Sequence, residues 1–125
     1  MTLKKRLSDL RSKLESGWCK YNMASSSTGM SVLPNATSAV KWCLLGGICS
    51  IFDVPSFSQS DEADNLRKYL LLRSELGLLA SWNDRSNKRE VLNWLDNIIK
   101  EVPEDWSIID GIKAEEAKRD FRAQA

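Results

Sequence analysis

The side chains best suited to chemistry in this chain are three cysteines, Cys19, Cys43 and Cys49, and they stand in a sequence without a single histidine. A thiol attacks as its thiolate, so a cysteine nucleophile needs a base or a cation beside it, and Lys20 and Lys41 are the nearest cations in sequence to Cys19 and Cys43. Without imidazole there can be no Ser-His-Asp triad, no Cys-His pair and no zinc site that depends on histidine. Three thiols hold a metal only with a carboxylate or a second chain to help, and the spacing of Cys43 and Cys49 sets them roughly 240° apart around an ideal helix. No metal site is therefore expected. The apolar neighbours of Cys43 and Cys49 mark them as small packing residues, and the odd, unrepeated spacing points to free thiols in a reducing cytosol rather than a disulfide framework.

The remaining candidates for catalysis are weaker still. Asp84, Glu101, Glu104 and Asp105 form no spaced pair for acid–base work and fall where turns and solvated helix ends favour acids. Gly46-Gly47 has neither the phosphate-loop nor the dinucleotide-binding spacing and lies inside an apolar run, not after a strand. The expectation is a protein that is not an enzyme and carries no cofactor.

A formal charge of +1 gives no global field, so any preference for nucleic acid must come from local clustering. Lys4, Lys5, Arg6, Arg11, Lys13 and Lys20 cluster near the start, and Arg85, Lys88 and Arg89 form a second group. No aromatic residues interleave with these charges in sequence, which favours separate solvated faces. Between Tyr21 and Ser60 the charged side chains are Lys41 and Asp53 alone, and that stretch is expected to supply the core. Five tryptophans in 125 residues exceed average use, and tryptophan is enriched at interaction hot spots as well as in cores. Trp42 and Trp82 read as buried. Trp94, at the border of an apolar stripe, and Trp106 read as contact residues.

The elements that position these residues follow from periodicity. Leu3, Leu7, Leu10 and Leu14 fall on one stripe of an amphipathic helix that Gly17 can end. Cys19, Tyr21 and Met23 alternate, Ser25 to Gly29 supply turn residues, and Ser31-Val32-Leu33 follows, a pattern that predicts a two-stranded hairpin. A second helix is expected from a cap at Asn35 or Thr37 to about Phe52, with Ala39, Cys43, Gly46, Gly47 and Ser50 on a small-residue side. Each internal glycine costs roughly 1 kcal/mol relative to alanine, so Gly46 and Gly47 imply close approach of a neighbouring backbone, more than Gly111 does. Ser58 or Ser60 opens a third helix with Asp61, Glu62 and Asp64 in its first turn and Ala63, Leu66, Tyr69, Leu70 and the Arg73 stem inward. Leu76 to Trp82 ends it or adds a turn, and Asn83 to Ser86 reads as a loop. Asn87 and Glu90 have capping-box spacing ahead of Val91, Leu92, Leu95, Ile98, Ile99 and Val102, with Pro103 as the stop. Lys113 to Ala125 is mostly charged and reads as a marginal helix.

Trp42-Cys43-Leu44-Leu45-Gly46 and Trp82-Asn83-Asp84, with Gly17-Trp18-Cys19 before and Glu90-Val91-Leu92 after, resemble a family of small uncharacterised bacterial and phage domains carrying Trp-Cys-x-Leu-Gly and Trp-Asn-Asp motifs. The likeness covers roughly the first hundred residues. Tyr21 to Leu33 is similar in placement to the family's hairpin, with Ser25-Ser26-Ser27 where an acidic turn is usual. The resemblance implies a bacterial or viral origin and brings no activity with it.

The sequence thus predicts a mainly α fold: a four-helix core over residues 1–105, a small β-hairpin between helices 1 and 2, and a C-terminal helical appendage over 106–125. The first functional reading is a small non-catalytic protein-binding module, in concrete form a phage or mobile-element inhibitor of a host defence protein. Trp94, Trp106, Ile109, Phe121, Arg85, Lys88 and Arg89 are its candidate partner-binding residues, and the C-terminal segment is a candidate for homo-oligomerisation. The alternatives are a nucleic-acid-binding accessory protein, and a small-molecule-binding protein or enzyme with a pocket beside Gly46 and Gly47. Met1 to Leu14 has no continuous apolar segment of the export type, and the run from Trp42 to Phe52 is too short for a bilayer. A cytoplasmic protein away from membranes is expected.

Overall fold

A computed structural model describes residues 1–74 and 79–124, the side chains of 120–124 excepted. The described residues are mainly helical, with six packed helices and a small antiparallel hairpin between the first and second. Helix α1 (Leu3–Ser16) starts where the Thr2 hydroxyl accepts from the Lys5 amide, and Leu3, Leu7, Leu10 and Leu14 are all fully buried. Four leucines on one stripe make this helix the spine of the core. α5 (Lys88–Glu101) opens on a complete capping box between Asn87 and Glu90 and buries Val91, Leu95 and Ile98. Arg11 fastens α1 to α5 through Asp96 at 2.9 Å.

α3 (Asp61–Arg73) begins at Ser60, whose hydroxyl accepts from the Ala63 amide at 3.1 Å, and it turns Ala63, Leu66, Tyr69 and Leu70 inward. A single 3-10 turn, Phe57–Gln59, precedes it. α6 (Ile108–Gln124) packs along α3: Ile108 and Ile112 join the core cluster, and a Cβ on Gly111 would stand 2.9 Å from the Tyr69 ring. Gly111 is therefore as enclosed by side chains as Gly47, contrary to the contrast expected from sequence, while Gly46 alone of the three meets a neighbouring backbone, that of Met23. Arg73 on α3 adds ion pairs to Glu101 at 2.5 Å and Glu115 at 3.3 Å.

The second helix is much shorter than its periodicity suggests. α2 runs Leu44–Ile51, and Cys43 is its cap, the sulfur accepting from the Gly46 amide at 3.3 Å. Asn35 and Thr37 cap nothing there, because the preceding residues are drawn into a sheet. β2 (Lys41–Trp42) pairs antiparallel with β1 (Ala24–Ser25), placing Ala24 opposite Trp42 and Ser25 opposite Lys41. Trp42 bridges to Trp18 on one side and Ser25 bridges to Ser31 on the other, so four short extended segments lie side by side. The strand expected over Cys19 to Met23 is not formed, the chain bending there and pairing at Ala24–Ser25 instead, and its expected partner Ser31–Leu33 keeps one bridge while Lys41–Trp42 takes the ladder. A large, β-favouring Trp42 whose indole N–H reaches the Pro34 carbonyl at 2.9 Å is better satisfied extended than in a helical turn.

A further helix, α4 (Leu79–Arg85), occupies Asn83, Asp84 and Arg85, which sequence assigns to a loop. The expected turn at Leu76 to Leu78 lies outside the described residues. The charge-poor stretch is also not uniformly core: Tyr21, Met30, Leu33 and Val40 are 78%, 68%, 59% and 42% exposed. Trp82, read as buried, is half-buried.

Candidate functional site: a polar hub and the apolar turns it holds

The Trp-Asn-Asp motif is a junction. Asn83 is fully buried, and its Oδ1 accepts from the Trp18 indole N–H at 2.8 Å and from the Leu44 backbone N–H at 3.0 Å. Its Nδ2 donates to the Cys19 carbonyl at 3.1 Å. One amide thereby joins α4, the end of α1's C-terminal extension and the buried first N–H of α2, a group every helix leaves without an internal partner. The neighbouring Asp84 accepts from the Tyr21 backbone N–H at 2.9 Å.

Tyr21 is the consequence of that junction. Its φ of 71° lies in the left-handed region, which costs a non-glycine residue about 1 kcal/mol or more. The Asp84 carboxylate fixes the backbone there, and the phenol ring is left in solvent. Beside it, Tyr21, Asn22, Met23, Ser31, Val32, Leu33, Pro34 and Pro55 surround a groove of about 530 Å³. None of these residues carries a charge. Tight backbone packing holds the groove's floor: a Cβ at Gly46 would run into the Met23 carbonyl, and the Met23 carbonyl also accepts from the Cys43 N–H at 3.2 Å.

The residues expected to bind a partner do not form one patch. Arg85, Lys88 and Arg89 are exposed at the junction of α4 and α5, where Arg85 donates to the Ser81 carbonyl and Lys88 to the Glu15 carbonyl at 2.7 Å. Trp94 is half-buried against Trp82, ring centroids 4.9 Å apart, and so joins α5 to α4. Trp106 and Ile109 lie beyond the other end of α5, a helix about 21 Å long. Trp106 is half-buried with its carbonyl accepting from the Leu3 N–H, whereas Ile109 is 44% exposed. Ile109 borders a shallow recess of about 290 Å³ with Met1, Glu62, Asn65, Ser107 and Ile108. The side chain of Phe121 lies outside the described residues.

The basic groups are nearer one another than the sequence suggests. Lys13 stands over the Trp42 ring at 4.6 Å and Lys20 over the Trp18 ring at 5.8 Å, each an attraction of the cation for the face of the ring. The Lys88 bond to Glu15 brings the second cluster to the same end of α1.

The surroundings of the thiols disfavour the thiolate. Burial raises the Cys19 and Cys43 thiols above their ordinary range, and raises Cys49 to about 11. Cys43 spends its sulfur as a helix cap. The space beside Gly46 is taken by Met23, and that beside Gly47 by Leu10 and Leu14, whose methyls would stand 2.9 Å from an added Cβ. Among the described residues no group of three or more His, Cys, Asp or Glu side chains could hold a metal ion, and no helix is long and apolar enough to cross a membrane.

Comparison with known proteins returns no matching family, no matching curated protein and no matching solved structure.

Tyr21, Met30, Leu33 and Val40 were legible only as part of a charge-poor run, which is what a core also looks like. The flanking Pro34 and Pro55 and the serine-rich turn are the signals that such a run crosses the surface.

Proposed function

We propose that the chain is a small non-catalytic protein-binding module, and that its docking face is the charge-poor turn region between α1 and α2. The observation that carries this reading is Tyr21: a strained backbone, anchored by a buried motif, that presents an exposed aromatic ring beside an uncharged groove. Aromatic residues on an anchored backbone beside uncharged pockets have the character of binding hot spots, since little backbone freedom is left to lose on contact. Its concrete form, resting only on the bacterial or viral origin that the resemblance implies, is a phage or mobile-element inhibitor that occupies a host defence protein. Affinity capture from bacterial lysate with mass-spectrometric identification finds the partner. Tyr21→Ala is then expected to weaken that complex by about 30-fold, the equivalent of roughly 2 kcal/mol, with the melting temperature little changed. Undiminished binding by both Tyr21→Ala and Leu33→Ala would remove the docking face from this region. Exposed Ile109 and Met1 offer a separate surface for self-association, to be checked by sedimentation of an Ile109→Asp variant.

A nucleic-acid reading is favoured by the gathering of Lys13, Lys20, Lys88, Arg85 and Arg89 around one end of α1. Its signature is a gel shift that weakens steeply with added salt. Binding that is indifferent to salt rejects it.

A further inference from the structure

The outer segment of the small sheet has a hydrogen-bonding edge that the described residues do not use. Ser26 donates to the Met30 carbonyl at 2.9 Å and Val32 donates to the Ala24 carbonyl at 3.1 Å, which makes Ser25 and Ser31 an antiparallel pair of the kind that is not itself hydrogen-bonded. In such a pair the N–H and C=O of each residue point away from the other. On Ser25 they point towards β2, where the Val40 N–H donates to the Ser25 carbonyl. On Ser31 they point outward, and among the described residues nothing meets them. By the same alternation the Leu33 N–H also faces the open side, while the Leu33 carbonyl is taken by the Ala36 N–H at 3.0 Å.

From this we propose that Ser31–Leu33 receives an extended, uncharged segment of a partner protein as an added β-strand, with alternate apolar side chains of that segment seated in the groove beside Tyr21. The proposal deepens the protein-binding reading and rests on it. Two observations choose this occupant over a helix or a folded surface. A sheet edge with outward N–H and C=O groups is satisfied by another backbone in extended form, as in other strand-addition complexes. Charge complementarity adds the second argument: the same Ser31, Val32 and Leu33 form a wall of the 530 Å³ groove, none of whose lining residues is charged, so a charged side chain entering it would lose water and gain no counter-ion. Pro34 limits the edge to a few residues, because proline cannot donate to a ladder. The added segment is accordingly short, and side-chain insertion must supply much of its affinity.

The test uses the full chain and a defined probe, an acetylated and amidated Thr-Val-Thr-Val-Thr peptide, with amide hydrogen exchange followed by NMR. At about ten times its Kd the peptide is expected to slow exchange at the Ser31 and Leu33 amides about tenfold, leaving the Val32 amide, already bonded to Ala24, unchanged. The same peptide N-methylated at alternate residues, and a Lys-Glu alternating peptide of equal length, are expected to give no protection. Equal protection by the N-methylated peptide, protection by none of the peptides up to millimolar concentration, or peptide-independent protection that grows with protein concentration through self-pairing would each overturn strand addition. The captured partner separates this from the parent reading. Ser31→Pro removes an outward donor without breaking an internal bond, so a folded Ser31→Pro variant that binds the partner normally, while Tyr21→Ala does not, rejects strand addition alone. Normal binding by both rejects the docking face with it. If Ser31→Pro does not fold, Ser31 replaced by its backbone ester through semisynthesis makes the same distinction.

Discussion

Replacing Asn83 with alanine tests the junction on which the candidate site depends. The side chain is fully buried and its three shortest bonds go to the Trp18 indole, the Leu44 N–H and the Cys19 carbonyl. Asn83→Ala leaves all three partners behind. A buried polar group left without a partner costs about 1–3 kcal/mol. Leu44 N–H is wholly enclosed and takes the upper part of that range; Trp18 and Cys19 are half-buried and recover part of theirs from water. The sum is about 3–5 kcal/mol, a large share of the 5–15 kcal/mol typical of a domain. For a chain of 125 residues, an unfolding entropy of about 2.1 cal/mol/K per residue converts this to a fall in Tm of roughly 11–19 °C. Urea unfolding followed by tryptophan fluorescence measures it, with Asn93→Ala, on the exposed side of α5, expected to change stability by less than about 0.5 kcal/mol. Asn83→Asp supplies the sign. It keeps the acceptor oxygen but loses the donor and buries a charge beside Asp84, so the introduced carboxyl is expected to titrate above its unfolded value. Its penalty is then absent below that unfolded value and grows to its full size as pH rises through the folded one. A loss below about 1 kcal/mol for Asn83→Ala, or an Asn83→Asp variant that gains stability on going from acid to neutral pH relative to wild type, refutes the junction.

Gly46→Ala should cost about 2–4 kcal/mol because the added methyl meets the Met23 backbone, whereas Gly47→Ala meets the movable ends of Leu10 and Leu14 and should stay within about 1 kcal/mol, helix propensity offsetting the crowding; equal melting temperatures would count against this. Stability should hold level through neutral pH and fall above about pH 9. Burial raises the Cys49 thiol from 9.0 to about 11 and the Tyr69 phenol from 10.0 to about 12, so the folded chain keeps protons that the unfolded chain releases. That contribution is complete below the unfolded values and lost as pH rises through the folded ones, and a flat alkaline profile would contradict it. The Arg73 guanidinium, by hydrogen bond and charge, holds the Glu101 carboxyl below its usual range, so Glu101 stabilises above its unfolded value of 4.5 and ceases to as pH falls through the folded one; Glu101→Gln should flatten that acid limb. Removing residues 113–125 takes away the Glu115 and Glu116 partners of Arg73 and Lys68 but leaves Ile108, Gly111 and Ile112 in place. The shortened chain should remain folded with a lower Tm, as circular dichroism will show.

The division between what was legible in the sequence and what was not follows the range of the interactions. α1, α3 and α5 could be read because their instructions are local: leucines at helical spacing, a serine or asparagine cap, acids in a first turn, and a proline after the end. The region from Gly17 to Cys43 obeys distant instructions. Lys41 is extended opposite Ser25 and Trp42 between Ala24 and Gly17, and Cys43 caps α2 in place of Asn35 or Thr37. No window of neighbouring residues contains that information. The same holds for the site. Trp-Asn-Asp is a turn-like string in sequence, and it takes a helix to aim Asn83 at Leu44, 39 positions away, and Asp84 at Tyr21, 63 positions away. Composition misled for a related reason: a charge-poor segment serves a core and a docking face equally well, and only the fold decides which of its residues face water. Here Ala24, Trp42, Leu44 and Ile48 were turned inward and Tyr21, Met30, Leu33 and Val40 outward. The buried motif and the exposed ring are therefore parts of one arrangement, in which the core's most specific hydrogen bonds are spent on holding a surface.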